Sequence, residues 1–374
     1  MRRQRLVALL GLLHLLLAWR LLAPWPLGVQ GVGAALLLAL YLTLVAAIDP
    51  IFGRSDRPRL LWAGLLATGF FSSLTVLTLL REPLLLTAWL FSWPGAAPWT
   101  FSQTSSAAVV ALALMASALG FLNARRLPAV REVQVPVTGL PPELAGFRIA
   151  QISDLHVGLT IRRHFVQRVV DRVNRLQADA VAITGDTIDG QVHELREHTA
   201  PLGTLRARHG VFAVTGNHEY YSGAPAWIAE FRRLGLRVLM NEHVVIEHQG
   251  AGLVLAGVPD YTAHHFERGH ASDPHAALAG APPGLPRVLL AHQPRTAPAA
   301  AAAGFQLQLS GHTHGGQFLP WRWFVPLQQP YVAGLHRHEG LWVYVSRGTG
   351  YWGPPKRLGA PSEISVLTLV PEAS

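Results

Sequence analysis

Seven residues in the later part of the chain carry oxygen or nitrogen donors suited to a divalent metal ion. Each stands in a short polar block directly after an apolar run, and they are Asp154, His156, Asp186, Asn217, His292, His312 and His314. Imidazole nitrogens combined with carboxylate oxygens suit Mn²⁺, Fe²⁺ or Zn²⁺, whereas oxygen ligands alone indicate Mg²⁺ or Ca²⁺. This number of donors is too large for one such ion and suits two ions that share a carboxylate. The residues therefore predict a binuclear metal site.

Such a site has a specific use in hydrolysis. Two divalent ions ~3.5 to 4 Å apart can supply a hydroxide nucleophile at neutral pH and hold the charged oxygens of an in-line phosphoryl displacement. The chain contains no cysteine, which excludes a thiolate nucleophile, a Cys-ligated zinc and a disulfide framework. Phosphoester hydrolysis is the reaction that the predicted site serves best.

Strands of an α/β domain with layered sheets are predicted to bring these blocks together. Runs that read as buried strands cover 147–152, 180–184, 211–215, 253–257, 287–291, 306–309 and 342–346. Between them, 162–176, 225–234 and 297–303 read as helices. Ligands of open α/β sheets bind outside the carboxyl ends of the strands, so we expect the polar blocks to converge on one crevice.

The first third of the chain has a different character. Whereas 50% of all residues are hydrophobic, only 14% are charged, against roughly 25% in a soluble domain. Four apolar runs, at 6–22, 29–48, 60–80 and 105–122, approach the ~20 residues that a helix needs to cross a bilayer. The segment 83–99 contains Trp89, Trp93, Pro94, Pro98 and Trp99, so it is expected to lie at the membrane surface. The sequence thus predicts transmembrane helices over 1–126, a linker over 127–146 and a catalytic domain over 147–374.

Arginine placement predicts the orientation of these spans. Before the first run, between the second and third, and after the fourth lie Arg2, Arg3, Arg5, Arg54, Arg57, Arg59, Arg125, Arg126 and Arg131. The opposite loops hold only Arg20 and Arg81 with Glu82, so the positive-inside rule places both termini and the catalytic domain in the cytoplasm. A cleaved signal peptide is the alternative for the first run, although no convincing small-x-small cleavage site follows it.

The net charge of +9 could also indicate nucleic-acid binding. The basic residues are almost all arginine, with Lys356 as the only lysine, and many flank the apolar runs. Membrane orientation accounts for such a pattern, and no nucleic acid is expected as a partner. The expected partners are the lipid bilayer and a phosphorylated lipid or nucleotide-lipid substrate, with no obligate protein partner evident.

The polar blocks resemble the signature of the calcineurin-like metallophosphoesterases: D-x-H, G-D-x-x-D, G-N-H-[DE], a lone His and G-H-x-H, in this order within 154–314. The resemblance implies a layered αββα domain with two divalent ions. It implies one ion on Asp154, His156 and His314, another on Asn217, His292 and His312, and Asp186 as the bridge. His218 would then not be a ligand but would donate a hydrogen bond or proton to the substrate, and Asp189 would orient it. Glu219 is expected to lie outside the ligand set.

The chain also resembles the membrane-associated bacterial branch of that family, through its spans and the residues 345–350. This branch includes enzymes that hydrolyse the pyrophosphate of UDP-2,3-diacylglucosamine in lipid A biosynthesis, which implies a bacterial plasma membrane location and a lipid-linked phosphodiester or pyrophosphate substrate. The aromatic segment 319–326 reads either as a lip that admits a lipid tail or as ordinary packing at the rim.

Three other functions compete with this hypothesis. The first is a broad-specificity phosphodiesterase or phosphatase that acts on soluble nucleotides or phospholipids, with the spans as an anchor. The second is a membrane scaffold or sensor with an inactive domain, but such domains usually lack a ligand or the general acid, and this sequence retains them. The third is a soluble nuclease, which leaves the four apolar runs unexplained.

Overall fold

The structure is a computed structural model that describes residues 3–51, 57–91 and 98–372. It divides into two compact units, the first comprising Met1–Arg125 and Gly353–Leu358, and the second Arg126–Trp352 and Gly359–Ser374. Of the positions used to predict the membrane topology, Arg2, Arg54, Trp93 and Pro94 lie outside the described residues.

Four helices build the first unit: α1 (Arg3–Leu22), α2 (Leu27–Ile51), α3 (Pro58–Leu90) and α4 (Pro98–Arg125). Each is long and apolar enough to cross a membrane, which confirms the four predicted spans. They pack against one another through a cluster that includes Leu17, Leu44, Phe71, Leu74 and Val109.

Helix α3 is longer than the sequence predicted. The third span was expected to end at Leu80, with 83–99 lying at the membrane surface, but the helix continues through Pro83 to Leu90. Proline is tolerated in a membrane helix where side chains satisfy the backbone groups that it frees. The carbonyl that Pro83 frees is that of Leu79; the hydroxyl of Thr87 donates instead to the Pro83 carbonyl oxygen at 2.8 Å, a back-bond that helical threonines commonly make. The segment 83–90 is therefore helical and continuous with the third span, and its position at the membrane surface stays a prediction.

A short segment that follows the second unit's Trp352 belongs to the helical unit. Within it, the Lys356 ammonium donates to the Gly69 carbonyl oxygen at 2.8 Å and to the Ser117 hydroxyl at 3.3 Å. The Arg357 backbone N–H donates to the Gly120 carbonyl oxygen at 2.8 Å. Small residues let backbones approach closely in membrane helices, and Gly69 and Gly120 make room for the lysine side chain in this way.

Gly120→Ala is expected to destabilise this unit. An added Cβ would lie 2.6 Å from Lys356 Cγ, in the middle of a side chain that hydrogen bonds hold at its far end. Overpacking of this kind costs ~1–3 kcal/mol, more than the gain in helix propensity from replacing glycine. Thermal unfolding in detergent measures the effect, and Gly31→Ala is the matched control because no atom lies within 4 Å of its new Cβ. An equal stability of the two variants, or no relief of the Gly120→Ala effect by Lys356→Ala, would contradict the packing described.

Strands and short helices form the second unit. The strands are β1 (Ala129–Val137), β2 (Arg148–Ile152), β3 (Ala180–Thr184), β4 (Val211–Val214), β5 (Arg237–Val238), β6 (Glu242–His248), β7 (Ala251–Gly257), β8 (Arg287–Leu290), β9 (Leu307–Ser310), β10 (Gly334–His338), β11 (Leu341–Val345) and β12 (Glu363–Pro371). The helices are α5 (Arg163–Arg175), α6 (Val192–Thr199), α7 (Asn217–Tyr221), α8 (Ala224–Arg233), α9 (Pro274–Ala277) and α10 (Ala297–Ala302).

The strands pair into two six-stranded sheets. The first has the order β1-β12-β2-β3-β4-β5, in which β2 to β5 are parallel and β12 runs antiparallel to β2. The second has the order β10-β11-β9-β8-β7-β6, in which β11, β9, β8 and β7 are parallel and the two edge strands are antiparallel. Parallel strands of both sheets therefore deliver the polar blocks at their carboxyl ends.

The two sheets share one apolar core. Ile149 and Phe212 from the first sheet and Leu255, Leu290 and Leu309 from the second belong to a single buried cluster. A second cluster packs Ala297 and Ala300 of α10 against Leu289 and Val343 of the second sheet. Helix α5 buries Val166, Val169, Val170 and Val173, which recur at helical spacing along one face. These layers confirm the predicted α/β domain of layered αββα type behind an all-α four-helix region.

Candidate metal centre

Each predicted ligand lies just beyond the carboxyl end of a parallel strand. Asp154 and His156 follow β2, Asp186 follows β3, Asn217 and His218 follow β4, His292 follows β8, and His312 and His314 follow β9. The structure brings all of these side chains together, with contacts that span up to 158 positions in the sequence.

The turns that carry these residues have an unusual backbone. Asp154, His156, Asp186, His312 and His314 have φ angles of 53°, 51°, 50°, 70° and 51°. Non-glycine residues in this left-handed region cost of order 1–3 kcal/mol each, and such strain concentrates at functional sites. The site loops also approach one another too closely for larger residues at two glycines. A Cβ on Gly311 would lie 2.2 Å from Asp154 Oδ2, and one on Gly216 would lie 2.2 Å from Asp186 Oδ1. The glycines of the polar blocks thus allow the loops to close on one another.

One group of donors consists of Asp154, His156 and His314. Their ligand atoms all lie within 4.8 Å of one another, and all three residues are buried. His156 Nε2 lies 3.0 Å from His314 Nε2, and His314 Nε2 lies 3.5 Å from Asp154 Oδ1. The Asp154 carboxylate also accepts the His312 backbone N–H at 2.9 Å, which fixes its orientation.

A second group consists of Asp186, His292 and His312, again within 4.8 Å of one another. His292 Nε2 lies 3.2 Å from Asp186 Oδ2 and 3.2 Å from His312 Nδ1. Asn217 joins this group, since its Oδ1 lies 3.0 Å from His312 Nδ1.

Asp186 stands between the two groups. Its Oδ2 lies 3.2 Å from His292 Nε2 on one side and 3.9 Å from His156 Nε2 on the other. Its Oδ1 accepts the His218 backbone N–H at 2.9 Å. One carboxylate oxygen therefore faces both sets of imidazoles.

The protonation of the imidazoles tests whether cations fit here. His292 Nδ1 lies 2.8 Å from the Thr184 carbonyl oxygen, which is only an acceptor, so this nitrogen carries a hydrogen. In the neutral ring, Nε2 then points a lone pair at the Asp186 carboxylate. His156 Nδ1 lies 3.0 Å from Asp189 Oδ1, which leaves its Nε2 lone pair facing His314 and Asp186 in the same way. Lone pairs that converge without donors fit divalent cations.

The pKa shifts in the second group also indicate a site for cations. Burial alone would raise the pKa of Asp186, but the His292 and His218 charges outweigh it and hold this pKa well below its ordinary value. Burial alone would lower the pKa of His292, yet the Asp186 carboxylate raises it well above its ordinary value. Burial and the His292 charge lower the pKa of His312 to about 3. The Asp186 side of the group thus favours a cation, while His312 stays neutral, as a metal-binding imidazole must.

His218 lies beside these groups with a different environment. Its Nδ1 lies 2.6 Å from Asp189 Oδ1, and its Nε2 lies 3.9 Å from Asp186 Oδ2. Burial alone would lower the pKa of His218, but the Asp186 charge and the Asp189 hydrogen bond raise it to about 9. Asp189 therefore contacts both His218 and His156 through one oxygen, and it fixes the orientation of both rings.

Glu219 contacts the backbone of the site loops. Its carboxylate accepts the backbone N–H groups of Asp186 at 3.0 Å, Thr187 at 2.7 Å and Gly216 at 2.7 Å. Burial and the Asp186 charge raise the pKa of Glu219 to about 7. The side chain ties the loop after β3 to the loop after β4, so it supports the site through the backbone.

Asp260 caps its own turn and also contacts the loop after β8. It caps its own turn by accepting from the Thr262 backbone N–H at 2.8 Å, and it accepts from the Gln293 amide at 3.0 Å. Gln293 directly follows His292, so this hydrogen bond helps to hold the loop after β8.

Sequence reasoning missed three residues at the site. Tyr221 and Trp352 place their rings 5.1 and 5.8 Å from the His218 ring, between centroids. Gln317 binds the Trp352 backbone through its side-chain amide, which donates to the carbonyl oxygen at 2.8 Å and accepts the N–H at 2.8 Å. Tyr221 stands three positions after His218, and that spacing was the one available signal.

Comparisons with known proteins find a family model and relatives that match this chain. A family model described as calcineurin-like phosphoesterase matches residues 147–316. A transmembrane protein with metallophosphoesterase domain from Bos taurus is 42% identical over 313 residues, which are 79% of this chain and 70% of that protein. A metallophosphoesterase of Helicobacter pylori strain J99 is 38% identical over 255 residues, which are 68% of this chain and 67% of that protein. Among solved structures, a dimetal phosphatase from Danio rerio aligns with a TM-score of 0.35 and 14% identity, over 55% of this chain and 88% of that one.

The relatives extend well beyond the matched catalytic blocks. Their identity and coverage, together with the four candidate spans, describe a membrane protein whose second unit is a metal-dependent phosphoester hydrolase. On these grounds the chain belongs to the calcineurin-like phosphoesterase family.

Proposed function

We propose that the protein is a membrane-anchored hydrolase with two divalent ions that cleaves a lipid-linked phosphodiester or pyrophosphate such as UDP-2,3-diacylglucosamine. In this proposal Asp154, His156 and His314 hold one ion, Asn217, His292 and His312 hold the other, and Asp186 bridges them. The observation that carries the proposal is the position of Asp186 Oδ2 between His292 Nε2 at 3.2 Å and His156 Nε2 at 3.9 Å. Two such ions supply Lewis acidity toward water and the phosphoryl group when bound.

The protein's own side chains do the remaining work. His218 binds Asp189 through Nδ1, so its Nε2 can donate to the oxygen of the leaving group. Asp189 holds that ring and the His156 ring at the same time, which sets the distance between the donor and the ions. The Glu219 carboxylate keeps the two loops that carry Asp186 and Asn217 in register.

The membrane unit supports a lipid-linked substrate. A hydrolase with four candidate spans works within reach of a bilayer. The segment 319–327, close in sequence to His314, exposes the side chains of Leu319, Trp321, Trp323, Phe324 and Leu327. An exposed apolar cluster of this kind marks a lipid or interaction site, so we assign it as the lip that admits a lipid tail.

We further propose a location in a bacterial plasma membrane with the catalytic unit in the cytoplasm, and a role in lipid A biosynthesis. Arg3, Arg5, Arg57 and Arg59 flank the spans on the proposed inner side, in line with the positive-inside rule. On the opposite side Arg20 forms an ion pair with Glu82, which reduces the positive charge there. Manganese is the proposed ion, with iron and zinc as the other metals that this donor set suits.

The substrate proposal predicts release of UMP from UDP-2,3-diacylglucosamine by the detergent-solubilised full-length protein with Mn²⁺. The physical reason is that the lipid part places the pyrophosphate at the membrane-anchored site, so the nucleotide lipid should have a far higher kcat/KM than a soluble nucleotide diester. Product release is followed by chromatography, with a small aryl phosphodiester as a control for an intact metal site. Cleavage of the aryl diester without UMP release would remove this substrate and keep the enzyme class. Equal efficiency on soluble nucleotides would favour the broad-specificity phosphodiesterase instead.

A further inference from the structure

Two half-exposed aromatic side chains border the accessible side of His218. Tyr221 is 59% exposed and Trp352 is 55% exposed, and their ring centroids lie 5.1 and 5.8 Å from that of the imidazole. The His218 side chain itself is only 15% exposed, so the two rings form much of its solvent-facing surroundings.

The backbone of both residues is held although their rings face solvent. Tyr221 ends α7, the short helix that also carries His218, and its ring packs edge-on against Phe266 at 5.5 Å between centroids. The Trp352 backbone makes two 2.8 Å hydrogen bonds with the Gln317 side chain. Gln317 is 7% exposed and lies three positions after His314, at the end of the turn that follows β9. The turn that carries a predicted ligand therefore also positions an exposed indole.

This arrangement has the properties of a binding site for a flat group. Exposed aromatic rings offer a large apolar face, and planar groups stack on such faces with little regard to their substituents. A structural role would have buried these rings, as it has buried Trp227 and Phe231 of the neighbouring helix α8. The rings instead stay half exposed beside the His218 ring.

We infer that Tyr221 and Trp352 bind the leaving group of the substrate and select for one that carries a planar aromatic group. This group is either an aryl ring whose oxygen is bonded to the scissile phosphorus or a nucleobase joined to that oxygen through its sugar or sugar phosphate. Gln317 is a positioning residue that acts through Trp352. The inference rests on the proposed function, because it takes His218 as the donor to the leaving-group oxygen. It adds a selectivity that the metal ligands cannot provide, since they would hold only the ions that act on the phosphoryl group.

A pair of small diesters tests the inference on the full-length protein in detergent. One is methyl phenyl phosphate, and the other is a methyl fluoroalkyl phosphate whose leaving group has the same pKa as phenol. The two substrates therefore differ in the flat ring but not in how readily the leaving group departs. Trp352→Ala is expected to raise KM for the phenyl diester ~10-fold or more, the scale of losing one stacking partner, and to change KM for the alkyl diester little. Trp352→Phe keeps a flat ring and should retain most of the selectivity. Gln317→Ala should raise the same KM by a smaller factor.

The outcomes separate the inference from the proposed function. If the wild type has a normal metal content but releases no UMP from the nucleotide lipid and cleaves neither diester, the proposed function fails. If the wild type cleaves both diesters and Trp352→Ala changes them equally or not at all, only the aromatic site is refuted. Metal content and thermal unfolding check that the variant is intact, and Tyr221→Leu provides a second variant with the same expected preference should Trp352→Ala fold poorly.

Discussion

Replacing Asp186 by alanine is expected to abolish phosphoester hydrolysis and to remove both metal ions. The carboxylate supplies the oxygen that lies between His292 Nε2 and His156 Nε2, at 3.2 and 3.9 Å. Its loss leaves the second group with imidazole and amide donors only, and Asp154 becomes the one carboxylate among the proposed ligands that offsets two dications. Metal content per chain by mass spectrometry and turnover of an aryl phosphodiester measure the two effects.

The matched control is Asp171→Ala, which removes an exposed carboxylate from α5. This variant should keep its metal content and its rate. Asp186→Asn adds a graded test, because an amide oxygen can still accept the His218 backbone N–H at Oδ1 but carries no charge. We expect Asp186→Asn to fold normally and to bind metal much more weakly than the wild type. An Asp186→Ala protein that retained a full complement of metal would show that this carboxylate does not bridge.

The position of the site could be predicted from the sequence because its signal is local. A buried strand is a short apolar run, and a polar residue directly after it reads as a ligand at the sheet edge. The strands before Asp154, Asp186 and His292 were each predicted to within about two residues of their observed ends. The left-handed backbone of Asp154 and Asp186 was not predicted, because it is imposed by the loops that close around them and not by residue type.

Contacts between distant segments of the chain could not be predicted from the sequence. Strand β12 pairs with β1 in parallel and with β2 in antiparallel register, and neither partner is marked by any local pattern. The hydrogen bonds between Gln317 and Trp352 span 35 positions, and each residue alone looks like an ordinary loop position. The segment 353–358 carries no apolar run, yet it belongs to the helical unit through Lys356.

Histidines outside the site show the same limit. His248 is only 6% exposed, and its Nδ1 lies 2.9 Å from His209 Nε2. Phe147 stacks on the His209 ring at 5.7 Å between centroids. His209 lies just before β4 and His248 ends β6. These strands belong to different sheets, so only the folded structure brings the two histidines together.

Replacing His218 by alanine is expected to lower kcat by ~10²-fold or more, the usual contribution of a positioned acid, while both metal ions stay bound. The two effects separate because His218 contacts Asp186 through its backbone N–H, at 2.9 Å, and alanine keeps that hydrogen bond. The imidazole itself makes its close contact with Asp189. It belongs neither to the ligand group that contains Asp154 nor to the one that contains His292. Metal content and single-turnover rates on the same preparation measure both effects.

The leaving group sharpens this prediction. A donor matters most when the departing oxygen is strongly basic, so the loss in His218→Ala should be larger for an alkyl leaving group than for a nitrophenyl one. His193→Ala is the control, because His193 is an exposed histidine of α6 and should leave both rates unchanged. A His218→Ala protein without metal would show that the imidazole is a ligand. A loss of the same size for every leaving group, with metal retained, would mean that His218 holds the phosphoryl group and does not protonate the departing oxygen.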